Sequence, residues 1–336
     1  FGNSFNIGLI LNNYYYEDSV FDLDAGTGSV VEADVGTSAT KAEIIESVNL
    51  YWDPTAWNIS SSDHPVLKSE SVYEISTVEQ LKKLQGKYIS NDIALVEDID
   101  LSGVEWSGFV LRNGSIDGRG HKISNLTMKT GGENVGFVSV ARGSTFANLH
   151  LRSVSVAYES DDETEVHSVG GLAAELRDGE INNCSVEANF VIGKTYHVGG
   201  IGGLVGLTIS EVKISRSYSF GKIDAYDDGY YGGLIGYMRA PGQVHNCYSS
   251  VNIKSIGIGD SISVGGLVGY VGEPSSSSVR YNIDSSYASG NIDVKAQNKV
   301  YAGGLVADVY FMVNINSSYA TGDITSETIS DSSFNN

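Results

Sequence analysis

The stretch Val264-Gly-Gly-Leu-Val-Gly-Tyr270 decides the fold, because the chain repeats its glycine–glycine–leucine core at regular intervals. Further copies are Val169-Gly-Gly-Leu-Ala173, Gly202-Gly-Leu-Val-Gly206, Gly232-Gly-Leu-Ile-Gly-Tyr237 and Gly303-Gly-Leu-Val306, and a degenerate copy is Val135-Gly-Phe-Val138. The first glycines of the five full copies stand at positions 170, 202, 232, 265 and 303. Self-similarity with a period between about 20 and 50 residues indicates a repeat architecture.

Each copy has a second half that is rich in serine, tyrosine and glycine. Ile283-Asp-Ser-Ser-Tyr-Ala-Ser-Gly-Asn-Ile292 closely matches Ile315-Asn-Ser-Ser-Tyr-Ala-Thr-Gly-Asp-Ile324. Apolar residues alternate over short runs that glycine and polar turns interrupt, which is the pattern of β-strands. A unit of two or three short strands cannot bury its own apolar face, so successive units must stack.

The sequence therefore predicts an all-β fold, a right-handed parallel β-helix (β-solenoid) with a short capping helix. In such a fold equivalent residues of successive coils form ladders with a spacing of about 4.8 Å. One inward-facing ladder is expected at the leucine of each repeat core: Leu172, Leu204, Leu234, Leu267 and Leu305.

The repeats resemble the GLUG motif of bacterial and archaeal surface proteins, which include adhesins and the N-terminal regions of IgA-specific metallopeptidases. The glycine–glycine–leucine core and the Ser-Tyr-Ala-x-Gly half carry this resemblance over roughly residues 130–325. It implies an extracellular or cell-surface location. It specifies an architecture rather than one activity, because proteins with different functions share the motif.

Composition excludes several classes of partner. The net charge of −20 argues against nucleic acid, whose phosphates require lysine and arginine, and against unaided docking on anionic lipid. No apolar run reaches the length of a membrane span, so membrane insertion is not expected. No signal-peptide pattern opens the chain, which we expect to be a mature or excised piece.

The chain divides into four predicted regions. Residues 1–68 resemble the closing segment of a GLUG module, and residues 69–130 resemble opening coils with a capping helix. In the second region, the pattern Ser76-Thr-Val-Glu79 predicts a capping box at the start of a helix near residues 77–85. Residues 131–325 are the repeat array, and residues 326–336 are a polar tail. Inserts are expected at residues 158–165, 273–280 and 295–299.

The two cysteines occupy equivalent positions in the repeats. Cys184 and Cys247 both align with Ser217, which lies in the coil between them. Two ladder steps separate them by roughly 9–10 Å, too far for a disulfide. Both cysteines are therefore predicted to be reduced.

Motifs for catalysis or metal binding are not evident. The sequence has no His-Glu-x-x-His zinc motif, and its six histidines show no metal-ligand spacing. No catalytic residues and no cofactor are predicted, and calcium is the one metal considered, because acidic side chains cluster. The weak ligand candidates are Asp161, Asp162, Glu163, Asp227, Asp228, Tyr230 and Tyr231, for which solvated turns are the structural alternative.

The function predicted is a non-catalytic extracellular structural or adhesive module. It would self-assemble head to tail into a fibre or form part of a long tandem surface protein. Its expected partners are further copies or neighbouring modules, and also carbohydrate or a host surface. In the alternative assembly hypothesis, residues 1–68 cap their own solenoid.

The alternative function is a polysaccharide-active enzyme or a carbohydrate-binding module on the same scaffold. A groove with two carboxylates within about 10 Å of each other would favour the enzyme.

Overall fold

The computed structural model describes residues 72–128, 134–158, 166–193, 198–226, 228–257, 261–272, 281–310 and 312–329, and four short strands before them. The chain forms two compact units, Phe1–Ser71 and Val72–Asn336. In the first unit Tyr14–Tyr16 pairs in parallel with Thr37–Ala39. Trp57–Asn58 pairs there in antiparallel orientation with Val66–Leu67.

The second unit is a parallel β-solenoid, so the predicted fold class is confirmed. Its described strands form three sheets, which we call sheets I, II and III. Sheet I contains Tyr73–Ile75, Tyr88–Ile89, Ile93–Leu95, Val110–Arg112, Ser115–Asp117, Val138–Arg142, Thr145–Ala147, Ala173–Asn182, Val205–Ser215, Ile235–Met238, Gly242–His245, Val268–Val271, Tyr281–Asp284, Val306–Val309 and Val313–Asn316. Sheet II contains Ile99–Asp100, Glu105–Trp106, Lys122–Ser124, Thr127–Met128, His150–Tyr158, Ser185–Ile192, Tyr218–Ala225, Tyr248–Gly257, Tyr287–Ala288, Ile292–Ala296, Tyr319–Ala320 and Ile324–Thr328. Sheet III contains Asn134–Val135, Val166–Gly170, Val198–Gly202, Gly229–Gly232, Ser261–Gly265 and Lys299–Gly303.

Each repeat coil passes from sheet III through the Gly-Gly-Leu turn into sheet I, and then round a corner into sheet II. The leucines of the turn are linked by backbone hydrogen bonds of 2.9–3.0 Å, from the N–H of one leucine to the carbonyl of the leucine in the next coil. Four of them, Leu172, Leu204, Leu234 and Leu267, are completely buried. Leu305, in the last described coil, is only partly buried.

Close approach of the backbone explains the glycine pair. A methyl group on Gly232 would collide with the carbonyl oxygen of Ile235, because the turn folds back on itself within three residues. A methyl group on Gly233 would collide with the carbonyl of Gly266 in the next coil. Glycine is therefore required by space at this turn rather than by a left-handed backbone.

The corner between sheets I and II, by contrast, requires a left-handed backbone. One residue in each of six coils adopts a left-handed φ between 49° and 54°, namely Asn148, Asn183, Arg216, Asn246, Ser285 and Ser317. In five of these coils a small residue follows, and together these residues form a buried or half-buried column: Cys184, Ser217, Cys247, Ser286 and Ser318. Both cysteines are free and buried, as predicted.

The capping helix spans Val78–Lys82, and its N-cap is Thr77. The Thr77 side chain accepts from the Gln80 N–H, while the Gln80 side chain accepts from the Thr77 N–H at 3.1 Å. The predicted box at Ser76 and Glu79 is thus wrong by one residue, because the pattern occurs twice in overlapping register. Leu81 of the helix joins the solenoid core.

Candidate functional site

The structure describes only some of the predicted ligand residues. Asp161, Asp162, Glu163 and Asp227 lie outside the described residues. Asp228 accepts a hydrogen bond from the Ser261 N–H at 3.2 Å, which ties two neighbouring coils together. Within the described residues no group of three histidine, cysteine, aspartate or glutamate side chains could hold a metal ion.

The two predicted tyrosines separate to opposite faces of their strand. Tyr231 is completely buried, so its ring is withdrawn from any ligand. Tyr230 faces outward and stacks on Tyr270, with ring centroids 4.4 Å apart. Tyr237 packs against both rings at 5.0 and 5.2 Å. Strand alternation separates the pair, so only Tyr230 stays at the surface.

A polar cleft on sheet I is lined in part by acidic side chains, the residue type that the enzyme alternative requires. Asp178, Glu180, Glu211 and Lys213 contribute to its lining. All four residues are exposed to solvent. A general acid for glycoside hydrolysis needs burial that favours its neutral form, and these side chains lack such burial.

The predicted insert at residues 295–299 is not a separate loop. Only residues 297 and 298 connect the strands Ile292–Ala296 and Lys299–Gly303, and the other three residues belong to those strands.

The outward face of sheet II carries a ladder of tyrosines. Tyr218, Tyr248, Tyr287 and Tyr319 stack nearly parallel, with successive centroids 4.5, 5.0 and 5.3 Å apart. These spacings follow from the parallel register of the strands, since each ring sits one coil from the next. The tyrosines of this ladder come from the Ser-Tyr half of the repeat.

The ladder ends at Ser185, which takes the tyrosine position in the preceding coil and is itself buried. His150 occupies this position one coil earlier. Arg152 donates from Nη1 to Ser185 Oγ at 2.8 Å, and its guanidinium carbon lies 5.4 Å from the Phe220 ring centroid. His150 Nδ1 lies 2.8 Å from the same Ser185 oxygen.

This Arg152–Ser185–His150 group, which we call the arginine cluster, was not predicted from the sequence. The signal that could have indicated it is an interruption of the tyrosine column at positions 150 and 185. A β-bulge between Leu151 and Val154 also breaks the register there. Ser153 has a left-handed φ of 51° in this bulge, and its N–H donates to Glu187 Oε2 at 3.0 Å.

The protonation of the arginine cluster follows from its geometry. Burial, and secondly the charge of Arg152, lower the pKa of His150 below its ordinary value. His150 is therefore neutral at neutral pH. Ser185 Oγ accepts from Arg152, so its single proton can be donated to Nδ1 of His150. In that tautomer of His150 the ring proton lies on Nε2, where it is a donor.

The last described coil, residues 299–328 without residue 311, has a different surface from the coils before it. We call it the terminal coil. Its strands stand at one edge of all three sheets. Large apolar side chains are exposed there, including Met312 at 72%, Tyr319 at 57% and Ile324 at 44%. In the preceding coils the residues in register with Ile324, which include Ile253 and Ile292, are buried.

Comparisons with known proteins give a partial match in sequence. No family model matches the chain, so the resemblance to the GLUG motif is not confirmed. The chain is 30% identical to halomucin of Haloquadratum walsbyi over 199 residues. That match covers 55% of this chain but only 2% of halomucin.

Comparison with solved structures shows the fold. A candidate immunoglobulin A1 protease from Bacteroides ovatus matches with a TM-score of 0.53 at 18% identity, over 76% of this chain and 85% of that one. An IgA1 protease gives a TM-score of 0.47 at 17% identity, over 81% of this chain and 23% of that one.

Among the described residues, no helix is both long enough and apolar enough to cross a membrane.

Proposed function

We propose that this chain is a non-catalytic structural module of an extracellular surface protein, which is extended by docking at its terminal coil. The single observation that carries this proposal is the exposed apolar edge of that coil. An uncovered strand edge is a liability that proteins normally cover with a cap or a partner. The partial match to halomucin and the resemblance to GLUG surface proteins support the extracellular location.

The occupant that we propose is residues 1–68 of a second copy. This segment includes a parallel strand pair, Tyr14–Tyr16 with Thr37–Ala39, which is the pairing of a solenoid coil. Its sequence also carries a glycine–leucine core at Ile7-Gly-Leu-Ile10 and a tyrosine half at Tyr14-Tyr-Tyr16. A coil of this kind extends the tyrosine ladder beyond Tyr319 and covers Ile324. Head-to-tail contacts of this type propagate into filaments when they do not close.

Two matched lysine variants test the docking. Ile324→Lys places a charge on the terminal coil, whereas Val191→Lys changes a residue of nearly equal exposure, 43%, on the side of the solenoid. By light scattering, the unaltered chain and Val191→Lys should gain mass as concentration rises, and Ile324→Lys should stay monomeric. A monomeric unaltered chain at the highest soluble concentration, or equal assembly of all three proteins, would overturn the proposal.

Cross-linking distinguishes a second copy from self-capping. Lys41 and Lys68 lie in the N-terminal segment, and Lys299 begins the terminal coil. In a mixture of isotope-labelled and unlabelled protein, docking between copies predicts mixed-label links from Lys41 or Lys68 to Lys299. Links confined to a single label class would show instead that the segment caps its own solenoid.

A further inference from the structure

The arginine cluster contains a cation that no salt bridge pairs among the described residues of a strongly acidic protein. Within the described part of the chain, Arg152 forms no ion pair with a carboxylate. The neighbouring lysines do have such partners: Lys122 lies 3.6 Å from Asp98, and Lys222 lies 3.0 Å from Asp224. Arg152 is instead held by Ser185 and the Phe220 ring.

The cluster has hydrogen-bond donors beyond those that its own contacts use. A guanidinium has five N–H donors in a planar fork, and Arg152 uses only Nη1, toward Ser185 Oγ and the Leu151 carbonyl. In the tautomer that accepts the Ser185 hydroxyl at Nδ1, the Nε2–H of His150 is a second donor. Glu187, on the neighbouring strand, accepts a hydrogen bond from the Ser153 N–H through Oε2. Donors of this kind beside a cation suit a carboxylate, which accepts two parallel hydrogen bonds from arginine.

The surface next to the cluster is lined by hydroxyl and amide side chains. In register after Phe220 come Ser250 and then Ser289 and Thr321, a line of hydroxyl groups that follows the solenoid axis. The tyrosine ladder borders this line on one side. Asn252 and Asn291 border it on the other, and each uses its side-chain oxygen to accept a backbone N–H of the next coil, at 2.9 and 3.0 Å.

The side-chain N–H groups of Asn252 and Asn291 are available as donors to another partner. Aromatic rings with a few polar groups beside them are the usual lining of small-molecule sites. We propose that Arg152 and His150 bind the carboxylate of an acidic sugar residue, and that the adjoining sugars of the glycan lie along Ser250, Ser289 and Thr321. Arg152 and His150 lie outside the terminal coil, so the carboxylate contacts can be tested separately from docking at that coil.

Calorimetry with three probes tests the site on the full chain. The probes are an oligosaccharide that contains glucuronic acid, a glucose oligomer of equal length, and inorganic sulfate. We expect binding of the acidic oligosaccharide and at least tenfold weaker binding of the other two. A charge-assisted hydrogen bond contributes enough free energy for about a tenfold effect. Sulfate that binds as tightly would mean an anion site only and would overturn the saccharide proposal.

The variant Arg152→Gln should weaken binding of the acidic oligosaccharide at least tenfold. The matched control is Arg112→Gln, since Arg112 also lies over an aromatic ring, at 5.1 Å from the Tyr88 centroid, but outside the cluster. Arg112→Gln should bind like the unaltered chain. If Arg152→Gln fails to fold, Arg152→Lys keeps the charge without the bidentate fork and should still weaken binding. Equal affinity of the folded Arg152 variant and the unaltered chain would exclude the proposed role.

Discussion

At the scale of single residues, the column of serines and cysteines shows how a polar group is accommodated at the corner of each coil. Ser217 Oγ accepts from the Cys184 N–H at 3.1 Å and donates to the Ser215 carbonyl at 2.8 Å. Ser286 makes the same pair of bonds to Cys247 and Asp284. Cysteine fits this column because its weak S–H donor can reach the carbonyl two residues back, as Cys247 does at 3.3 Å.

Burial of the two thiols leads to a prediction about pH. Desolvation raises the pKa of both Cys184 and Cys247 to about 12, from a model-peptide value near 9. A raised pKa means that the thiols contribute stability that is complete below pH 9 and is lost as the pH approaches 12. The loss of unfolding free energy over this range should therefore be smaller in the double variant Cys184→Ser, Cys247→Ser.

Denaturant titrations at pH 8 and at pH 10.5 measure the loss of unfolding free energy in the unaltered chain and in the double variant. Other groups that titrate in this range contribute equally to both proteins, so the difference between the two losses reports on the thiols. A thiol reagent at pH 8 should find two reactive thiols in the unfolded chain without reductant, and almost none in the folded chain. Identical pH dependence of the two proteins would contradict the burial of the thiols.

At the scale of the elements, the leucine column shows that a residue's energetic contribution depends on its place in the stack. Leu234 is buried between coils on both sides, whereas Leu305 belongs to the terminal coil. Leu234→Ala should lower the free energy of unfolding by roughly 2–5 kcal/mol, because it removes transfer energy and leaves a cavity. Leu305→Ala should cost less, and chemical denaturation measures both. Equal losses would show that Leu305 is covered as fully as Leu234.

At the scale of the whole solenoid, the two ends of the second unit differ. The helix Val78–Lys82 closes the first coils, with Leu81 and Leu84 buried, while the terminal coil exposes its apolar side chains. In a stacked repeat each coil is stabilised by its neighbours, so a coil with one neighbour opens more readily than an internal one.

Hydrogen exchange should follow that order at low protein concentration. The strand Ile324–Thr328 should exchange faster than Ala173–Asn182 and faster than Tyr73–Ile75 beside the helix. Mass spectrometry of peptides from the full chain measures the three rates. Of these three strands, only Ile324–Thr328 should exchange more slowly when the protein concentration is raised, since the proposed docking would cover it. Equal protection of this strand and the internal strands at high dilution would disprove the open end.

The sequence by itself determined the fold class, the glycine turns and the leucine and cysteine columns. In a stacked repeat, the neighbour of each residue is the equivalent residue one period away, so the period alone identifies contacts that are distant along the chain. Leu204 and Leu234, for example, could be paired without knowledge of any coordinate. Alternation along a strand follows from the same local periodicity.

Only the tertiary structure decided the features that depart from the period. The arginine cluster forms where the tyrosine column is broken and a bulge displaces Ser153, so that Arg152 reaches Ser185 and Phe220 in two later coils. The N-cap is Thr77 rather than Ser76, a choice that two overlapping capping-box patterns leave open in the sequence. Leu305 has the same sequence context as Leu234, yet its burial depends on whether another coil lies beyond it. These outcomes depend on contacts between coils, which a linear repeat pattern does not encode.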